Sequence, residues 1–204
     1  MFAITADQVD SRGRADLADE ALQLIESIAA GRLALPADRT AGDEVQALTD
    51  DPAAALEVIL ALTRTGSWSV GCGIGSVRTP LPDQTRAATG DAFILARDAV
   101  DAAKRRPTRV SIRIADDRRL ADGDVEPLLD LLLLLRSRRS DEGWQLHEVL
   151  AEGVTQTEAA RRLDISPQAV SQRAQTAQLR VDDLARPALA RLLADADTPR
   201  KDAS

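Results

Sequence analysis

The chain has one cysteine, Cys72, one histidine, His147, no tyrosine, and only 2% aromatic residues. A lone cysteine excludes an intramolecular disulfide framework. With a single histidine beside it no Cys/His zinc site can be assembled, so any metal would have to sit on carboxylates. So few rings leave little surface for stacking the bases of single strands or RNA. A long apolar run is missing too: the richest, Leu128 to Leu135, is interrupted by Asp130 and falls far short of the roughly 20 residues a spanning helix needs. The N-terminus lacks a basic region followed by an apolar one. These absences lead to the expectation of a cytoplasmic protein with no membrane partner.

What is present is charge and periodic apolar pattern. A chain of 204 residues suits one medium domain and a smaller one. Phe2 to Ala6 reads as a strand ending at Asp7, and Leu17, Ala21, Leu24, Ile25 and Ile28 follow at helical spacing up to Gly31. Leu33 to Thr40 and Glu44 to Leu48 flank the hairpin turn Gly42-Asp43. Pro52 opens a second helix, Trp68 to Val77 reads as a buried strand, Gly90 to Lys104 as a helix, and Val110, Ile112 and Ile114 alternate as a last strand. The order βαββαβ plus αβ predicts an α+β fold, an antiparallel sheet with helices on one face, of the ferredoxin-like kind. An all-α domain should follow. The boundaries expected are 1–115 for the sheet domain, 116–140 for a linker and leucine-rich coupling helix, 141–195 for the helical domain and 196–204 for a disordered tail. The coupling helix, Val125 to about Arg139, carries leucine on more than one side, which points to an interface and a possible homodimer.

The helical domain holds the most specific local signals. Thr155-Gln156-Thr157-Glu158 has the form of a capping box at a helix start. Ser166 and Pro167 mark a second start one tight turn later, as an N-cap and a first helical residue whose missing N–H costs nothing. Ala159, Leu163, Ile165 and Val170 fall where a two-helix corner needs apolar contact, and Ala160 is small enough for close approach. Val170, Ala174 and Ala177 then face inward. Ser166, Gln168, Ser171, Gln172 and Gln175 are left outside, where amides can read base edges, and Arg173 is placed to reach a phosphate. A net charge of −7 seems wrong for a nucleic-acid partner. Locally the balance reverses, because Thr155 to Arg180 carries four arginines against two carboxylates. The expected partner is double-stranded DNA, bound by a helix-turn-helix. The competing reading is an ordinary helical hairpin with a polar surface.

At the other end of the chain, Asp7 closes the first strand and Asp43 sits in the hairpin turn. Adjacent strands would bring the two carboxylates together beside the Gln8 carbonyl, with Asp10 and Glu44 near, a donor set suited to Mg²⁺ and a nucleotide. The segments Ile4-Thr5-Ala6-Asp7-Gln8-Val9-Asp10-Ser11-Arg12, Gly42-Asp43-Glu44 and Gly90-Asp91-Ala92-Phe93-Ile94-Leu95-Ala96-Arg97 come in the order seen in class III nucleotidyl cyclases. The chain resembles the SatD family more closely still, from Phe2 to about Leu184. That likeness implies a cyclase-type palm with a helix-turn-helix appended, Asp7 and Asp43 at the two metal-binding aspartates, and Arg97 at the arginine that steadies the transferring phosphate. A retained nucleotide pocket would also turn Arg12 toward phosphates. The sequence departs from the catalytic pattern at Phe93, four residues before Arg97, where cyclases carry asparagine, and no lysine occurs in the first 103 residues. Phe93 can donate no hydrogen bond to a transition state. The expectation is therefore a DNA-binding transcriptional regulator whose palm senses a nucleotide or metal, or dimerises. A metal-dependent nucleotidyl cyclase or transferase, and a protein-binding adaptor, are the alternatives.

Overall fold

The computed structural model describes residues 1–11, 15–40 and 42–200. The chain forms two compact units, one built from Met1–Asp130 together with the segment from Ala188 onward, the other from Leu131–Pro187. The expected linker is not a separate piece, because the division falls inside its leucine-rich helix.

The larger unit is α+β. Its strands are β1 (Phe2–Gln8), β2 (Leu35–Arg39), β3 (Glu44–Thr49), β4 (Trp68–Ile74) and β5 (Val110–Ile114), and its helices α1 (Ala18–Ile28), α2 (Pro52–Leu62) and α3 (Asp91–Ala103). The sheet order is β2-β3-β1-β4-β5. β1 lies at the centre, antiparallel to β3 and β4. The expected all-antiparallel sheet is corrected at one edge, where β5 runs parallel to β4. Parallel neighbours need a crossover, and α3 supplies it.

That crossover also corrects the expectation of helices on one face only. Gln8 points to the α1 side, its amide donating to the Ala15 carbonyl at 2.8 Å and accepting from the Leu17 N–H at 2.9 Å. Phe2, Ile4 and Ala6 share that face by the two-residue period of a strand. On the opposite face, a Cβ at Gly71 or Gly73 would lie 2.2 Å or 2.0 Å from α3 backbone atoms. Glycine at alternate positions of β4 is what lets α3 lie directly on the sheet, with Ala92 and Ala96 against Ala3 and Leu48.

α4 (Asp122–Ser137) begins in this unit and closes the β5 edge. Ile114 N–H donates to the Asp122 carboxylate at 2.7 Å and Ile112 N–H to Glu126 at 3.0 Å, so carboxylates four apart on one helix face take up the outer N–H groups of an edge strand. Asp130, four residues further on, accepts from Thr108 and Arg106. The segment 196–200 of the tail expected to be disordered is tied down as well, and residues 201–204 lie outside the described residues. Arg119 N–H donates to the Thr198 carbonyl at 2.9 Å, Arg200 N–H to the Asp117 carbonyl at 2.7 Å, and Asp197 accepts from the Met1 ammonium at 2.6 Å.

The smaller unit is helical: α5 (Asp141–Ala151), α6 (Gln156–Arg162), α7 (Pro167–Thr176) and the first half of α8 (Leu179–Ala196). Thr155 caps α6 by accepting from Glu158 N–H at 3.2 Å, and Ser166 caps α7 by accepting from Ala169 N–H at 3.1 Å. The reciprocal half of the expected capping box is replaced by ion pairs, since the Glu158 carboxylate turns to Arg161 and Arg162. Between the helices Asp164 takes a left-handed conformation, φ 51°, and Ile165 N–H reaches back to the Ala160 carbonyl at 3.0 Å. Leu146, Ala159, Ala160, Val170, Ala177 and Leu179 form the core of this corner, with Leu163, Ile165 and Ala174 packed against it.

Candidate functional site

In the larger unit, Asp7 and Glu44 are register partners on β1 and β3. Directly paired residues point to the same face, so the residue beside Asp7 is Glu44, while Asp43 stands one step out of phase in the turn. The Asp43 carbonyl accepts from Gln8 N–H at 3.3 Å, which places the turn where the sequence pattern puts it. Asp7 already has a cation, the Lys104 ammonium at 3.1 Å from its Oδ2. Burial alone would lower the lysine's affinity for its proton, but Asp7 and Asp101 outweigh that and hold its pKa above the usual range. Glu44 accepts from Thr40 Oγ1 at 2.6 Å and from Arg97 Nη2 at 3.0 Å. In this arrangement the Asp7 carboxylate is paired with an ammonium, and its neighbour across the strands is Glu44. Among the described residues no cluster of three or more His, Cys, Asp or Glu side chains is formed that could hold a metal. Arg12 lies outside the described residues.

Arg97, by contrast, lines a cleft of about 810 Å³ together with Thr40, Arg78, Arg86, Thr89 and Phe93. Arg86 is held by Asp38 at 3.5 Å, whereas Arg78 is exposed and has no ion pair among the described residues. Sequence reasoning missed Arg78 and Arg86. They sit in the loop between β4 and α3, which carries no periodic signal.

In the smaller unit, Ser166, Gln168, Ser171, Gln172 and Gln175 are all exposed, and Arg173 is half-buried. Val170 is fully buried on the opposite side of α7. A groove of about 460 Å³ runs beside the helix, lined by Gln172, Arg173 and Thr176 and by Arg138, Ser140 and Glu142. The cations open to a phosphate differ from those counted in the sequence. Arg161 and Arg162 are tied to Glu158, and Arg162 also to Glu152 at 2.5 Å. Arg138, Arg173 and Arg180 have no ion pair among the described residues.

Behind α7 lies a buried charge cluster. Asp182, 0% exposed, accepts from Arg136 Nη1 at 2.9 and 2.7 Å and from Arg139 Nη2 at 2.7 Å. Arg139 Nε also donates to the Ala177 carbonyl at 3.2 Å, at the C-terminal cap of α7. Both guanidinium groups stack on Trp144, 4.8 and 4.3 Å from the ring centre. By sequence alone, Arg136 to Asp141 reads as a charged separator. No local signal marks the pair, because Arg136 lies in the last turn of α4, Arg139 lies in the link to α5, and their partner lies over forty residues away.

No protein-family model, no curated protein and no solved structure matches the chain, so the functional reading rests on these residues.

Proposed function

We propose that the protein is a transcriptional regulator that binds double-stranded DNA through α7. The observation that carries this reading is the outer face of α7: Gln168, Ser171, Gln172, Gln175 and Thr176, exposed, with no carboxylate from Ser166 to Arg180 and arginines beside it that have no ion pair among the described residues. Two short helices around a turn, the second capped by Ser166 and aimed by Pro167, are the geometry with which a helix-turn-helix enters a major groove. Gln168 and Gln172 are four apart and stack on one side, where each amide can bond adenine N6 and N7. Arg173 and Arg180 serve the phosphates.

The sheet order β2-β3-β1-β4-β5 supports the reading of the larger unit as a ferredoxin-like palm with one added αβ, resembling the SatD family, and to that unit we assign a sensing role in a cytoplasmic regulator. The ligand class is a nucleotide or another phosphate-bearing molecule, held in the cleft by Arg78 and Arg97. Phe93 in that cleft offers no polar group four residues before Arg97, which favours sensing over cyclase turnover.

The test is titration against a selected site and random duplex at several salt concentrations. Gln168→Ala with Gln172→Ala is expected to lower the preference for the selected site by about 1–3 kcal/mol per lost base contact and to leave affinity for random DNA nearly unchanged. Arg173→Ala and Arg180→Ala are expected to weaken binding to every sequence and each to reduce the salt slope by about one. Full site preference in a folded glutamine double variant overturns the assignment of α7 as the reading helix.

A further inference from the structure

α4 turns only part of its leucine content inward. Leu129, Leu132 and Leu133 are buried, but Leu128, Leu131 and Leu134 are 50%, 64% and 42% exposed. These three recur every third residue and form one stripe along the part of α4 that follows Pro127. Two charges end the stripe. Asp124 is exposed in the first turn, where it accepts from the Ala121 N–H, and Arg138 is exposed one residue past the last turn. Neither has an ion pair among the described residues. The positions are symmetric: 124 and 138 lie equally far from 131, and so do 128 and 134.

We propose that this stripe is the interface of a homodimer in which α4 pairs with its own copy, antiparallel, on a twofold axis through Leu131. In an isologous contact residue i of one copy meets residue j of the other and j meets i. Antiparallel pairing about Leu131 places each Leu128 against the other copy's Leu134, and each Asp124 opposite the other copy's Arg138. Parallel pairing would set Asp124 against Asp124 and Arg138 against Arg138, like charges at both ends. Charge complementarity therefore selects a second copy as the occupant, and antiparallel as its direction. The inference does not rest on the DNA-binding reading, although it would place two α7 helices about a twofold axis.

The test uses the full chain. Cys72 is buried, so a cysteine introduced on α4 is the only accessible thiol among the described residues. Under mild oxidation Leu131→Cys is expected to cross-link to itself. Leu128→Cys and Leu134→Cys are each expected to stay monomeric on denaturing gels when alone and to form heterodimers when mixed. The reason is geometric: Leu128 stands level with Leu134 of the other copy but about 9 Å along the axis from its own equivalent, beyond the Cα separation of about 7 Å that a disulfide tolerates. Light scattering should show a dimer at tens of micromolar for the parent chain and a monomer for Leu131→Glu. Asp124→Arg or Arg138→Asp alone should weaken the dimer about tenfold, and the two together should restore it. A parent chain that stays monomeric at about 100 µM, or Leu128→Cys that cross-links to itself, overturns the proposal. Should Leu131→Glu fail to fold, the cysteine pairs still decide.

Discussion

Asp182 is the acid that holds together the buried charge cluster of the smaller unit. Burial by itself would raise its pKa, but Arg136 and Arg139 outweigh that and hold the carboxyl below the usual range. Removing the acid leaves two guanidinium groups buried without a counter-ion, which typically costs about 3–5 kcal/mol. Asp182→Ala should show this as a shift in the urea midpoint at neutral pH; a change under about 1 kcal/mol would mean that water reaches the arginines. His147 stands edge-on to Trp144, 5.4 Å between ring centres, and is pushed down to a pKa of about 4, first by burial and then by the Arg139 and Arg136 cations. A base whose folded pKa is depressed lets the unfolded chain take up the proton first. Its contribution to stability is complete above the ordinary histidine value of 6.5 and declines as pH falls toward 4. Asp182 acts lower: its contribution is present above the ordinary aspartate pKa of 3.8 and is lost as pH falls through its depressed folded value. Melting temperatures at pH 7 and pH 5 should therefore differ less in His147→Gln than in the parent chain, and an equal difference would exclude His147 as the source of that slope.

Among the elements, α3 depends most on what its neighbour lacks. A methyl group at Gly73 would lie 2.0 Å from the Ala92 carbonyl oxygen and 2.4 Å from Ala96 N, both backbone atoms that cannot rotate away. Gly73→Ala should cost at least the 1–3 kcal/mol usual for overpacking and lower hydrogen-exchange protection along α3. Gly123→Ala, where nothing lies within 4 Å, should cost nothing. Most of these elements were legible in the sequence because their signals are local. Val110, Ile112 and Ile114 alternate, Pro52 starts α2, and Thr155, Ser166 and Pro167 mark the two starts of the corner. What was illegible depends on distant partners. The alternating glycines of β4 matter only against the alanines of α3, and so neither the face that α3 covers nor the parallel β5 edge shows in the sequence. Asp122, Glu126 and Asp130 read as solvated linker charge because nothing nearby in sequence reveals the edge strand they cover. Hairpin adjacency alone pairs Asp7 with Asp43, and the pleat, which turns neighbouring residues to opposite sides, favours Glu44.

For the whole molecule, charge and connectivity are distributed unevenly. A formal charge of −7 coexists with arginines beside α7 that have no ion pair among the described residues, so the proposed binding to DNA should be steered at low salt by a local field against an overall repulsion. Connectivity shapes the kinetics. The smaller unit is a continuous stretch of chain, but the larger one is completed only by the segment from Ala188 onward, and Asp197 meets Met1 across a sequence separation of 196 residues. Closing a loop of that length is entropically costly and gains few contacts until the sheet already exists. The clasp of Asp197, Thr198 and Arg200 on residues 1 and 117–119 should therefore form after the folding transition state. Truncation after Ala196 should then leave the refolding rate nearly unchanged and speed unfolding, in stopped-flow urea jumps. Equal slowing of refolding would place the clasp in the nucleus instead. A contact absent from the barrier sets how long the native state lasts once formed, so this clasp acts as a latch on lifetime.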